Sequence, residues 1–202
     1  MPTSIPAAAG PAAPALAAVD RLIFLRHGRT AFNAEGRVAG QTDIPLDDTG
    51  RAEAWAAIEA LRPLGVDAVA ASPMQRARVT AAIVAAGLGF GDDAVQLVPG
   101  LRERNWGMYE GAPLGERPPY EETPPGGEPW PAFVDRTAHA LAGALKMMGT
   151  PRRPLIVAHS GTALALSRLL DCPMPVDKAQ NAVPLIFQRA RDRSWRCWLP
   201  GR

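Results

Sequence analysis

Short unbroken apolar runs alternate along this chain with longer stretches in which apolar residues recur every three or four positions. Leu22-Ile23-Phe24-Leu25 and Pro154-Leu155-Ile156-Val157-Ala158 have no polar face, the pattern of strands buried on both sides. Val66 to Ala71 and Val95 to Val98 are further strand-length runs. Between them, Ala54, Trp55, Ile58 and Leu61 recur at helical spacing from about Arg51 to Leu64, with Asp47, Asp48 and Thr49 as start residues and Pro63 at the end. A second helix is expected from Ser72 as N-cap and Pro73 as first helical residue to near Gly87, a third from about Trp130 to Met148, and a fourth from about Thr162 to Leu170. Val183 to Phe187 and Ser194 to Trp198 read as a closing hairpin around Arg191-Asp192-Arg193. Residues 31–45 form a polar loop, and residues 111–131, dense in Pro and Gly, form a long irregular one of the kind that is functional or disordered. No internal repeat is present. Strands alternating with helices predict an α/β fold with a mostly parallel central sheet flanked by helices.

Composition narrows this picture. At 202 residues and 47% hydrophobic content, one domain over residues 20–202 is expected, preceded by an Ala/Pro-rich disordered tail over residues 1–19. The net charge of +2 gives no footprint for nucleic acid. No apolar run reaches the roughly 20 residues that span a bilayer, and the first basic residue is Arg21, so no positively charged secretory leader is read. A cytoplasmic location is expected, without membrane or nucleic-acid partners and compatible with a homo-oligomer. Cys172 and Cys197 lack C-x-x-C spacing and are expected as buried free thiols.

Two of the three histidines share one unusual setting: an apolar run, then His, then Gly close behind. Arg26-His27-Gly28 follows the first strand and His159-Ser160-Gly161 a later one. The carboxyl ends of strands in an open α/β sheet are where ligands bind. Arg76 falls in the first turn of a helix, where an anion is favoured and a cation is not. If Arg26, His27, Arg76 and His159 converge, they make a pocket of two guanidiniums and two imidazoles. Guanidiniums match phosphate oxygens two bonds at a time, and an imidazole nitrogen can attack phosphorus. A protonated second histidine and helix amides would assist, and no metal or cofactor is required. The leaving alkoxide needs an acid, for which Glu103, irregular and just after a strand, is best placed among rivals that include Asp43, Glu110 and Glu128. His139, inside a helix, reads as structural or surface. The arginines at 189, 191, 193 and 196 read as a solvated hairpin whose aromatics sit on the opposite face.

These residues resemble the histidine phosphatase superfamily, in its phosphoglycerate mutase-like branch, from about Arg21 to Phe187. Arg26-His27-Gly28-Arg29-Thr30 with Asn33 is similar to the family's nucleophile motif, and Gly40 with Asp43-Ile44-Pro45-Leu46 and Gly50 to the segment after it. Ser72-Pro73-Met74-Gln75-Arg76-Ala77 resembles the second-arginine motif, Leu101-Arg102-Glu103 with Gly107 and Glu110-Gly111 the acid loop, and Ala158-His159-Ser160-Gly161 the second-histidine motif. The resemblance implies a three-layer α/β sandwich in which His27 becomes phosphohistidine. Arg26, Asn33, Arg76, His159 and Ser160 would hold the phosphoryl group, and Glu103 would donate a proton and later activate water. Arg29 departs from the family's usual Glu or Gln and is expected to add positive charge at the mouth.

The expected activity is metal-independent hydrolysis of a small phosphomonoester, the partner being a phosphorylated metabolite. Mutases of this branch usually carry extra loop segments that this chain lacks. The run Gly40 to Leu46 is similar to that of α-ribazole phosphatases. Phosphoglycerate mutase-type transfer, a non-catalytic phosphate-binding module and a metallohydrolase are the competing readings. Trp106, Tyr109, Tyr120 and Trp130 either line a leaving-group site or pack beneath a loop.

Overall fold

The computed structural model describes Leu16 and residues 19–201. A six-stranded sheet forms its middle layer. Its strands are β1 (Arg21–Arg26), β2 (Ala68–Ala71), β3 (Val95–Leu97), β4 (Pro154–Ala158), β5 (Pro184–Arg189) and β6 (Trp195–Trp198), in the order β3-β2-β4-β1-β5-β6. β1, β4, β2 and β3 run parallel, whereas β5 and β6 add an antiparallel edge. The helices are α1 (Ala31–Ala34), α2 (Asp48–Leu61), α3 (Gln75–Gly87), α4 (Trp130–Met147) and α5 (Ser160–Leu169).

The unbroken apolar runs have the physical cause expected of them, since successive side chains of a strand point to opposite faces. Leu22 and Phe24 of β1, with Ile156 and Ala158 of β4, pack on one face against Leu141 and Leu145 of α4 and Leu166 of α5. Ile23, Leu25, Leu155 and Val157 pack on the other against Ile58 and Leu61 of α2 and Ala77, Ala81 and Val84 of α3. The result is the three-layer α/β sandwich.

Several boundaries differ from expectation for identifiable reasons. The loop at residues 31–45 starts with a single helical turn, α1, whose N-cap Thr30 and third residue Asn33 form a reciprocal capping box. α3 starts at Gln75 with Met74 as N-cap, so Ser72 and Pro73 precede the helix. Capping comes instead from a distant loop: the Gln75 N–H donates to Asp43 Oδ1 at 2.8 Å. In the closing hairpin the arginines and aromatics share faces. Arg189 is the register partner of Trp195, and its guanidinium carbon lies 5.3 Å from the ring centroid. Of residues 1–19 only Leu16 and Val19 are described, and both are buried in the core; the rest of the expected tail lies outside the described residues. Among the described residues, no helix is long and apolar enough to cross a membrane. Cys172 and Cys197 are free thiols, the first buried and the second half-buried. His139 is exposed, beside Asp135 one turn earlier on α4.

This topology gathers the chemistry at one edge. β4 lies between β1 and β2, so the residues that follow the three strands (His27, His159 and Ser72) emerge side by side. The junctions are tied: His27 N–H and Ser72 N–H donate to the Ala158 and Val157 carbonyls, each at 3.0 Å. The turn after β1 passes so close to α2 that a Cβ on Gly28 would lie 2.2 Å from the Gly50 carbonyl oxygen. That neighbour is backbone and cannot step aside. Gly28→Ala is therefore expected to cost about 2 kcal/mol or more in urea titration, while Gly36→Ala, with no atom within 4 Å of its Cβ, pays only for its positive φ.

Candidate active site

His27 is buried at the carboxyl end of β1. Its Nδ1 lies 2.7 Å from the Gly28 carbonyl oxygen. A carbonyl accepts only, so the ring's proton belongs on Nδ1 and the Nε2 lone pair is left to face the interior of the site. Arg76 Nε–H donates to that lone pair at 3.2 Å. Burial, reinforced by the charges of Arg76 and Arg26, holds the imidazole well below its ordinary value of 6.5, and the Gly28 hydrogen bond opposes this only in part.

Arg76 occupies the first turn of α3 and is 1% exposed. Its Nη1 and Nη2 donate to the Thr42 and Gly40 carbonyls at 2.9 and 2.7 Å. Those carbonyls are held in turn by Glu110, whose carboxylate accepts from Gln41 N–H, Thr42 N–H, the Thr42 hydroxyl and Trp106 N–H. One turn on from Arg76, the Thr80 hydroxyl donates to the Arg76 carbonyl and accepts the Gly28 N–H. Helix α3 is thereby fastened to the His27 turn at both ends of the contact.

His159 is the N-cap of α5 and is fully buried, its ring centroid 5.3 Å from that of His27. Its Nε2 lies 2.8 Å from Ser72 Oγ, and its Nδ1 has no partner. Ser72 Oγ also accepts the Met74 N–H at 3.3 Å, so this one hydroxyl ties His159 to the turn before α3. Burial, with Arg76, His27 and Arg26, keeps this imidazole well below its ordinary value. The protonated second histidine expected from the sequence is thus disfavoured by these surroundings.

Glu103 closes the ring of groups. Its Oε1 accepts Arg104 N–H at 2.8 Å and its Oε2 accepts Gly161 N–H, in the first turn of α5, at 3.0 Å. A Cβ on Gly161 would collide with Oε1, so glycine there makes room for the carboxylate. Burial works against the charges of Arg26 and Arg76, and Glu103 is the leading opposing influence on both. Arg26 Nη1 donates to the Ala179 carbonyl at 3.0 Å, and its Nε is buried without a partner. Asn33 Oδ1 accepts from Thr30 N–H and Asn181 Nδ2, which leaves its NH₂ as the end available to donate.

Arg26, His27, Asn33, Arg76, Glu103 and Ser160 all line one cavity of about 370 Å³, the size range of small-ligand sites. His159 is not among the lining residues, and its ring lies beside that of His27. Trp106 and Tyr120 line the cavity, whereas Trp130 meets Tyr120 edge to face at 5.1 Å and Tyr109 stays outside. Arg29 points away from it: its Nε donates to Asp47 Oδ2 at 2.9 Å and its Nη2 to Thr49, so its charge belongs to the start of α2 and not to the mouth. Among the described residues, no group of three or more His, Cys, Asp or Glu side chains is arranged to hold a metal ion.

Three residues with no signal strong enough to single them out prove central. Asn181 Nδ2 donates to the His27 carbonyl at 2.8 Å from a segment with no periodicity. Ser72 reads as a helix cap yet partners His159. Arg104 is fully buried and donates to the carbonyls of Tyr120, Glu122 and Glu128, which makes it the clamp of the long loop.

A family model described as histidine phosphatase superfamily (branch 1) matches residues 22–182. A protein named probable phosphoglycerate mutase GpmB, from Erwinia tasmaniensis, is 33% identical over 173 residues, covering 78% of this chain and 78% of that one. A solved mycobacterial glucosyl-3-phosphoglycerate phosphatase in complex with VO3 superposes with a TM-score of 0.72 at 28% identity, over 89% of this chain and 98% of that one. A putative alpha-ribazole-5'-P phosphatase from Escherichia coli shares the fold, with a TM-score of 0.73 at 23% identity over 91% of this chain and 97% of that one.

Both buried imidazoles are neutral when folded and regain values near 6.5 on unfolding. Below that pH the unfolded chain binds more protons, so stability falls as pH drops from about 6.5, with a limiting slope of about 1.4 kcal/mol per pH unit for each histidine. Urea titrations near pH 7 and near pH 5 are expected to show a smaller loss in His27→Gln than in wild type. Equal losses would contradict a buried neutral His27.

Proposed function

The chain belongs to the histidine phosphatase superfamily, branch 1, and from that premise we propose that it hydrolyses a small phosphomonoester, without a metal, through a phosphohistidine on His27. The observation that carries this reading is the Nδ1–Gly28 carbonyl contact of 2.7 Å, which orients a neutral imidazole with Nε2 toward the cavity.

In the first step Nε2 forms a bond to phosphorus as the bond to the ester oxygen breaks, and Glu103 supplies the proton that the leaving oxygen takes. Arg26 and Arg76 balance the charge on the equatorial oxygens, with the Asn33 amide and the Ser160 hydroxyl as further donors. Nδ1 of His159 has no partner among the described residues, and the charge of a bound dianion favours protonation of this imidazole. In the second step Glu103 takes a proton from water, the water oxygen attacks phosphorus, and the bond to Nε2 breaks, releasing inorganic phosphate. Arg76 Nε–H, now on the His27 lone pair, turns to the phosphoryl oxygens as that lone pair is used. We place the enzyme in the cytoplasm, a location that suits two free thiols.

Transfer to a second hydroxyl, as in a mutase, is the alternative, favoured by the 33% identity to a protein named probable phosphoglycerate mutase. Hydrolysis is the preferred reading because the mycobacterial structural relative is named a phosphatase and is matched over nearly its whole length.

Incubation with an ester carrying labelled phosphate, followed by an alkaline quench, is expected to leave an acid-labile label on His27. His27→Ala is expected to lose the label and at least ~1,000-fold of kcat/KM. Glu103→Gln is expected to slow an alkyl phosphate by ~100-fold or more while affecting p-nitrophenyl phosphate much less, because the latter leaves without an acid. EDTA is expected to change neither. Label recovered in an isomeric ester in place of inorganic phosphate would favour transfer.

A further inference from the structure

The cavity extends well beyond the groups around His27, and its far side has a different character. Leu114, Leu164 and Met174 give it an apolar wall, and Trp106 and Tyr120 an aromatic one. Arg117 lies against both rings, its guanidinium carbon 4.2 Å from the Trp106 centroid and 4.4 Å from that of Tyr120. Two other cations line this side, and both are already satisfied. Arg37 donates to the Gly111 carbonyl and to Glu35, and Lys178 is exposed to water.

Arg117 has neither kind of relief. It is only half-exposed, none of its guanidinium nitrogens has a hydrogen-bond acceptor or an acidic partner among the described residues, and Nη1 is buried with nothing there to donate to. Withdrawing a charged donor from water without an acceptor is costly, and contact with two aromatic faces offsets only part of that. The charge of the neighbouring Arg104 adds repulsion. The two rings meet edge to face, at 71°, and the guanidinium contacts both, which fixes it at the cavity wall with its donors unfilled; a carboxylate or phosphate answers such a fork with two bonds.

We propose that Arg117 recognises a second anionic group, a carboxylate or a further phosphate, on the leaving-group portion of the substrate. The substrate class is then a phosphorylated small molecule with an anion at each end and an apolar or planar body between, lying along the aromatic wall. This rests on the reading of the His27 end as the phosphoryl site. It makes Arg117 a specificity-determining residue on the long 111–131 loop, distinct from the groups that act on phosphorus.

Binding without turnover tests it. Benzylphosphonate, its 4-carboxy derivative and the corresponding bisphosphonate are titrated calorimetrically into wild type, Arg117→Gln, Arg117→Lys and Lys178→Gln. Wild type and Lys178→Gln are expected to prefer one or both doubly anionic ligands by about tenfold or more. In Arg117→Gln that ratio falls to near one, and Arg117→Lys retains part of it, which separates lost charge from a disturbed loop. The carboxylate and bisphosphonate arms identify the anion. Equal wild-type affinities, absence of binding, a preference that survives Arg117→Gln, or one that is lost in Lys178→Gln would overturn the proposal. The parallel hydrolysis of phenyl phosphate and 4-carboxyphenyl phosphate reports on the phosphatase reading separately: no turnover with the binding preference intact counts against hydrolysis and supports Arg117.

Discussion

A guanidinium withdrawn from water sets the terms for the rest of this molecule. Arg76 is all but inaccessible, yet its charge is useful only if it stays beside His27 and is not neutralised by a carboxylate. The fold answers with carbonyl dipoles: Gly40 and Thr42 accept two of its five protons, His27 accepts a third, and two remain for a ligand. Carbonyls satisfy the donors without cancelling the charge, so the site keeps its attraction for an anion. The carboxylates that would cancel it are engaged elsewhere, Glu110 with the amides of the 40–42 loop and Asp43 with the first turn of α3.

Main-chain amides recur as the means of holding acids. Glu103 and Asp43 each reach from a loop to the open N–H groups of a helix they do not belong to, Glu103 at α5 and Asp43 at α3. Each contact satisfies orphan donors that a helix must place somewhere, and each docks a loop against the edge of the sheet where β1, β2 and β4 end. Stability and chemistry share these contacts. The same residues that finish two helices also set the shape of the cavity.

Much of this was legible in the amino-acid order because it depends on local pattern. Unbroken apolar runs announced strands covered on both faces, and the histidine placed after each of two such runs pointed to the edge where the two rings lie 5.3 Å apart. What escaped depends on contacts between remote segments. Asn181 reaches His27 across 154 positions from a stretch with no periodicity, and the Ser72 hydroxyl meets Nε2 of His159, 87 residues later. Arg29 misled for a related reason. Its place in the motif suggests the cavity mouth, but the turn at Gly28 sends its side chain to Asp47. Aromatic residues in the long loop looked alike in sequence, and only packing separates Trp106 and Tyr120, on the cavity wall, from Trp130 and Tyr109.

The hydrogen bonds by which Arg104 ties down residues 120–128 all go to backbone oxygens, and its guanidinium also faces the Tyr120 ring. A carbonyl is the same whatever side chain it carries, so these hydrogen bonds by themselves do not dictate the side chains of the residues they grip, Tyr120 with its ring contact apart. Selection can therefore rewrite the loop's side chains, and with them the choice of leaving group, without disturbing the framework that bears the phosphorus chemistry. One buried arginine in this way separates what the enzyme does from what it does it to, and lets the two evolve at different speeds.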